Sequence, residues 1–418
     1  MTHPTKDFKV AVVGGGMCGL LCGIGLVRAG IEVDVFESAP KFEEVGAGVG
    51  LGPNAIRALD GLGVLEAVLR RADEDVPTLR PFRFLAGVGE HEHVYNYPVS
   101  AEDSGLGIYR PAFLEALSPL IDPAFVHFGK RCNSISVTTS GTHLLHFEGG
   151  SIHEADLIVG ADGIKSVVRD FVVDHSSSSR LVYSNTIAYR AILSAQSLKE
   201  AGVKTDLQTQ PLCWLGNDKH IITFPVQAKQ MINIVAFASD SQTSLGSVTV
   251  PPPWVHSASK EELLNVFAGW GADAITLLQQ IKNPSKWFIH CMHPPLRTYV
   301  CQRVVLIGDA AHAMLPHLGA GVGQGFEDVF TLCKILGHCQ TSAGNINNAL
   351  EAYDSIRAPR ANMVLQSSSS QGRIYEEFLN THGDRLETQK RLAGTWEPVW
   401  HYDLAGEVAT LLENMYGH

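Results

Sequence analysis

Three short stretches, far apart in a chain of 418 residues, carry glycines beside acids or histidines at spacings that suit nucleotide chemistry. The first is Gly14-x-Gly16-x-x-Gly19, with a carboxylate further on at Glu37. In that spacing the first glycine permits a tight turn, the second lets backbone approach a pyrophosphate, and the third lets helix and strand pack closely. A helix N-terminus then faces the phosphates, and the carboxylate accepts bonds from ribose hydroxyls. An acid at Glu37 favours a free 2′-hydroxyl, as in FAD or NAD, over the phosphorylated NADP. The second stretch is Gly308-Asp309-Ala310-Ala311-His312, where a carboxylate among small residues suits the ribityl hydroxyls of a flavin. The third runs from Pro316 and His317 through Gly319 and Gly321 to Gly325 and opens a helix. Its backbone N–H groups suit the pyrimidine edge of a flavin and would stabilise negative charge on the reduced ring.

The elements that must position these groups are legible in the flanking residues. Lys9 to Val13 is an apolar, β-branched run of the kind buried on both faces of a parallel sheet. Leu20 to Ala29 reads as a helix of small residues closed by Gly30, and Ile31 to Phe36 as a second strand, giving a βαβ unit with a right-handed crossover. Ala155 to Gly160 and Arg303 to Ile307 resemble the first strand and also end in Gly and Asp. Ligands of open α/β sheets bind at the carboxyl edge, so these strands predict three segments meeting at one edge. Residues 1–80, 106–180 and 291–360 are therefore assigned to one discontinuous FAD-binding domain. Thr186 to Leu193, His220 to Val226 and Met231 to Ala238 alternate as antiparallel strands do, which places 81–105 and 181–290 in a substrate domain. Glu261 to Gln280, 321–338 and 345–375 read as helices, and 361–418 as a C-terminal helical region. The expected fold is α/β: a Rossmann-like domain, a mostly antiparallel β-sheet domain and C-terminal helices.

Composition narrows the function classes. With 45% hydrophobic and 18% charged residues the chain can bury a large core, which excludes a disordered protein. A net charge of −11 with no basic run argues against a nucleic-acid or anionic-membrane partner. The eight cysteines form no C-x-x-C pair and read as reduced thiols. Val10 to Val27 has the length of a membrane span but is interrupted by six glycines, and Met1 to Lys9 lacks a signal-peptide core. A cytoplasmic enzyme, monomeric or homodimeric, is expected.

Taken together, Gly14–Gly19, the stretch Gly160-Ala161-Asp162-Gly163-Ile164-Lys165-Ser166-Val167-Val168-Arg169, and Gly308-Asp309 through Pro316 resemble the three fingerprints of the single-component FAD-dependent aromatic hydroxylases, the p-hydroxybenzoate-hydroxylase-like fold. The resemblance runs from about Phe8 to Asp403 and includes Phe42-Glu43-Glu44-Val45-Gly46-Ala47-Gly48-Val49. It implies that Gly14, Gly16, Gly19 and Glu37 bind the ADP half of FAD and that Asp309 holds the ribityl chain. It also implies that Arg110 lies near the ribityl chain and phosphates, and that Asp162 takes part in FAD and NAD(P)H interactions. No second Gly-x-Gly-x-x-Gly occurs, so NADH or NADPH is expected to dock transiently as reductant. Members that act on salicylate share the closest local similarity. They attack the carboxyl-bearing carbon with oxygen from a flavin C4a-hydroperoxide and release CO2 and catechol.

Candidate substrate residues follow. Arg190 lies on an antiparallel strand where a guanidinium could pair with a carboxylate or phenolate, or make an interdomain salt bridge instead. Tyr189 is its neighbour and faces the other way on a regular strand, so one of the two is structural. His317, beside the flavin by analogy, suits phenol deprotonation or carboxylate binding, against the plainer reading of a loop histidine bonded to backbone. His220, Phe224 and Pro316 are expected to line the same cavity. His290-x-x-His293 and His91-x-His93 lack a third ligand, and no metal is expected. One departure stands out: some salicylate-hydroxylating relatives carry an arginine where this chain has Gln230. Ring hydroxylation or dearomatisation of another phenol, of the hydroxybenzoate or orcinaldehyde/resorcinol type, and a non-catalytic carrier of the Rab-escort type are the competing readings.

Overall fold

The computed structural model describes residues 6–42, 48–72, 76–139, 141–173, 180–226, 229–379 and 384–417. Of the stretch Phe42 to Val49, Glu43 to Ala47 lie outside the described residues. Strand β1 (Lys9–Val13), helix α1 (Met17–Arg28) and strand β2 (Glu32–Phe36) form the expected βαβ unit. β1 runs parallel to β2 on one side and to β3 (Leu157–Gly160) on the other, and β3 runs parallel to Val304–Leu306. With Val300–Cys301 and Val126–His127 at its edges this is a six-stranded sheet. β3 is buried along its whole length and β1 along all but Lys9, which is why both are unbroken apolar runs. Because these strands share one direction, the turns that leave them open on one edge.

A second, eight-stranded sheet is built from the intervening segments. Its centre is β4 (Arg180–Ser194), β5 (Lys219–Val226) and β6 (Met231–Ser239), with β6 antiparallel to both others. One face of the sheet is sealed by the helices Lys260–Val266 and Ala272–Gln279 over a core that includes Tyr189, Trp214, Ile232 and Ile234. The sequence suggested one helix over Glu261 to Gln280; a turn at Gly269-Trp270-Gly271 divides it. The other face carries Phe84, Cys213 and Leu215, which pack on Leu318, Ala320 and Tyr375. A three-stranded sheet (Cys132–Val137, His143–Phe147, Ile152–Ala155) and a pair (Gly48–Leu51, Leu106–Tyr109) complete the strands. Among the described residues no helix is long and apolar enough to cross a membrane.

Helices α2 (Gly321–Gly337) and α3 (Ile346–Glu376) sit close to their expected bounds. What joins them was not anticipated. Glu327 and Asp328 of α2 are buried, and Arg357 of α3 donates to both, at 2.7 and 2.8 Å. Arg360, Asn54 and Gln324 also donate to Glu327, and His312 and the Gly308 N–H to Asp328. Burial opposes both carboxylates, but Arg357, with Arg360 beside Glu327 and His312 beside Asp328, outweighs it and holds each below its ordinary range. A buried network of this kind is stable only when every member is present. Arg357→Met would leave two buried carboxylates short of a cation. It should cost about 3–5 kcal/mol, read as a lowered denaturation midpoint, and an unchanged midpoint would refute the assignment.

Candidate active site

The three turns meet at the carboxyl edge through backbone contact. Gly14 adopts φ +104°, and a Cβ there would stand 2.3 Å from the Ala161 carbonyl oxygen, at the turn that follows β3. A Cβ on Gly19 would stand 1.8 Å from the Gly14 carbonyl, so helix and strand approach as closely as the sequence pattern requires. Cys18, one turn residue away, lies against Gly308 and Gly325. Gly16 is the N-cap of α1 and supplies no side-chain bond, leaving the first N–H groups of a 12-residue helix open to a phosphate. The Glu37 carboxylate is fixed beside this turn, accepting N–H bonds from Gly15 and Ala39, each at 2.7 Å.

Asp309 is exposed at the end of the third turn, its side chain directed out of the core. Asp162, expected to take part in FAD and NAD(P)H interactions, turns its carboxylate into its own loop. Its oxygens accept from the Ser166 hydroxyl and from the N–H groups of Val167 and Val168, at 2.7 and 3.2 Å for the latter two. Asp162 shapes its own loop. Arg169, from the same stretch, ties that loop to the third turn by donating to the carbonyls of Ile164 (2.8 Å) and Ala310 (3.2 Å).

Pro316–Leu318 forms a single 3-10 turn, with Pro316 half-buried and Gly319 following in the left-handed region at φ +63°. No atom lies within 4 Å of a Cβ built on Gly319, and only Met314 approaches one on Gly321, at 3.7 Å. The backbone of this loop therefore borders open space.

Opposite lies the face of the large sheet that carries Phe84, Cys213 and Leu215. Phe237 of β6 sits between Ala188 and His220, and Val235 between Arg190 and Ile222, so all six share one face by strand alternation. The His220 ring stacks on Phe237 at 4.5 Å, and His317 lies 5.1 Å from His220 and 5.5 Å from Phe237. His220 Nδ1 donates to Glu376 at 3.0 Å, and Ser239 donates to the same oxygen at 2.9 Å. His220 Nε2 and His317 Nδ1 are buried and lack protein partners among the described residues. Burial, with His220 adding to it, pulls His317 down to about 3. Burial thus favours a neutral, hydrogen-bonding imidazole at His317, the residue expected to deprotonate a phenol or bind a carboxylate.

Arg190 lies on the same wall and makes no ion pair among the described residues, so the interdomain salt bridge is absent there. Its guanidinium stacks 4.4 Å from the Trp287 ring centroid, and its Nε is buried without a partner. Burial, with the nearby charge of Arg110, pulls it down to about 10, so it stays cationic at neutral pH. Arg110 begins the helix Arg110–Leu117, half-buried. Phe224 is half-buried and packs beneath Gly48, where a Cβ would stand 2.9 Å from its ring. Tyr189 is not in the pocket. Alternation turns it to the sealed face, where its hydroxyl donates to Glu262 at 2.7 Å. Gln230 is exposed in the turn before β6, seven residues and therefore roughly 23 Å along the strand from Phe237. A side chain there does not reach the His220–His317 end.

Residues 7–368 match the family model described as FAD binding domain. Over 98% of its length the chain is 39% identical to a salicylate hydroxylase of Pseudomonas putida, covering 96% of that protein. It belongs to the FAD-dependent aromatic monooxygenases. It is also 31% identical to the 6-methylsalicylate 1-monooxygenase of Aspergillus terreus, over 95% of this chain and 90% of that one. A solved structure described as a salicylate hydroxylase substrate complex superposes with a TM-score of 0.85 at 33% identity, covering 97% of this chain and 98% of that one. Membership removes the carrier reading: this is a flavin monooxygenase, with FAD as cofactor and NAD(P)H as the family's reductant.

The residues present fit the flavin nucleotide. The uncapped α1 N-terminus, the close approach at Gly14 and the open backbone at Gly319 and Gly321 are features that a merely structural turn does not need. Sequence reasoning missed Phe237, Tyr375 and Glu376 as components of the wall. Phe237 was visible as an aromatic in phase with His220, whereas Glu376 closes a long polar helix and carries no local signal. Asp309→Ala should lower the FAD content of the purified monooxygenase, read as the flavin-to-protein absorbance ratio. Full occupancy in that variant would remove Asp309 from the flavin site.

Proposed function

We propose that this monooxygenase carries out the decarboxylative hydroxylation of salicylate to catechol. The observation that carries the reading is Arg190: a half-buried guanidinium with its Nε buried and unpartnered, for which the described residues supply no anion, beside the Trp287 ring. Leaving such a charge unpaired is costly, and a wall that keeps one is suited to an aromatic anion. The similarity to salicylate hydroxylases over nearly the whole chain supports the same substrate.

In this reading Gly14, Gly16, Gly19, Glu37, Arg110, Asp309, Gly319 and Gly321 hold FAD. When bound, FAD takes the hydride from NAD(P)H and activates dioxygen. The chain's own residues bind and orient. Arg190 holds the substrate carboxylate in a charge-assisted hydrogen bond. His317, neutral, and His220, whose Nε2 is free to accept, offer hydrogen-bonding capacity to the phenolic hydroxyl. Phe224, Phe237 and Pro316 pack against the ring and exclude water. Salicylate, NADH, dioxygen and two protons give catechol, CO2, water and NAD+, with the carboxyl carbon leaving as the new C–O bond forms.

Salicylate should stimulate NADH oxidation with stoichiometric catechol and CO2, more efficiently than 6-methylsalicylate or an orcinaldehyde. Efficient turnover of the orcinaldehyde without CO2 release would overturn the salicylate assignment in favour of ring hydroxylation of another phenol. Arg190→Met removes a charge-assisted bond worth about 1.5–3 kcal/mol, so KM for salicylate should rise roughly ten- to a hundredfold. Because the same change relieves a desolvated cation, the melting temperature should hold or rise. A fall in Tm with unaltered KM would make Arg190 structural.

A further inference from the structure

The loop that faces the flavin site is rich in the residue least able to hold a shape. Gly319, Gly321, Gly323 and Gly325 alternate through it and into α2. Glycine loses more conformational freedom on ordering than any other residue, so a preorganised loop of this composition must be fixed from outside. Three buried side chains do so, each on a different backbone carbonyl between Leu315 and Leu318. Ser368 donates to the Leu315 carbonyl at 2.6 Å and accepts the Leu318 N–H at 3.2 Å. Tyr375 donates to the His317 carbonyl at 3.1 Å. The Trp396 indole N–H donates to the Leu318 carbonyl at 3.0 Å, immediately before Gly319.

Ser368 and Tyr375 belong to α3, but Trp396 arrives from the C-terminal region, and its own placement is secured twice. Its backbone N–H donates to the Tyr97 hydroxyl at 3.1 Å, and Arg360 donates to the carbonyls of Pro398 and Val399 just beyond. Arg360 is also a partner of Glu327, so the anchor is continuous with the buried charge network of α2.

We infer that Trp396 is a positioning residue of the monooxygenase: through its indole N–H it holds the Leu318 carbonyl and so fixes the Gly319–Gly321 backbone that borders the flavin. The inference concerns the loop and holds whichever phenol is the substrate. It also assigns a role to the C-terminal region in completing the active site.

Trp396→Phe keeps an aromatic ring in the stack with Phe82 and Trp400 while deleting the donor. In the FAD-loaded protein the amides of Ala320 and Gly321 should exchange with solvent about five- to tenfold faster, and product formed per NADH should fall. Trp400→Phe disturbs the same stack without touching the Leu318 carbonyl and should leave both readings at the wild-type value. Equal exchange in Trp396→Phe and wild type would overturn the inference. So would equal acceleration in Trp400→Phe, which would assign the effect to packing. Should Trp396→Phe fail to fold, Tyr375→Phe deletes the neighbouring bond to the His317 carbonyl; the same acceleration supports external fixing of the loop, and its absence refutes it.

Discussion

Backbone-on-backbone contact at the carboxyl edge of the parallel sheet governs the rest of this molecule. The Gly14 carbonyl faces Gly19 at a separation that leaves no room for a methyl group, and the Ala161 carbonyl faces Gly14 in the same way. Those two contacts nest the turn after β1 into the turn after β3. Cys18 then sets the height of Gly308, and the Gly308 N–H is in turn held by Asp328, at 2.8 Å. The proposed cofactor site is thus a stack of three turns whose spacing is set by missing side chains.

The strands and the glycine pattern were legible because each is a local signal: an apolar run, a spacing, an acid at a strand end. The pairing of Tyr189 with Arg190 was legible only in part. Alternation separates them, but both faces of that strand are covered, one by helices and the other by the cofactor side, and only the tertiary structure says which residue faces which. Asp162 illustrates the same limit at a turn. A carboxylate before glycine reads identically whether it points outward to a ligand or folds back onto the N–H groups of its own loop. His317 was placed correctly near His220, yet its charge state depends on how completely aromatic neighbours exclude water, which spacing does not encode. Glu327 and Asp328 were invisible because their partners Arg357 and Arg360 come from another helix.

Two kinds of buried charge coexist here, and the contrast separates architecture from chemistry. Around Glu327, Asp328, Arg357 and Arg360 every group has its opposite within hydrogen-bonding distance, and the low dielectric strengthens the assembly. Around Arg190 the same low dielectric acts on a cation for which the described residues supply no anion. The first arrangement gains stability from being complete. The second gives up stability, and the proposed carboxylate-binding role of Arg190 supplies a reason for that trade.

The Leu318–Trp396 bond spans 78 residues and closes late in the chain. During synthesis the glycine-rich loop emerges well before the residue that steadies it, since domains fold as the chain is extended and non-local contacts wait for both ends. The sheets can assemble first, while this loop takes its working shape only once Trp396 has been added. A nascent chain stalled before Trp396 would hold the strands and the nucleotide turns yet lack the tether that steadies the flavin's neighbour.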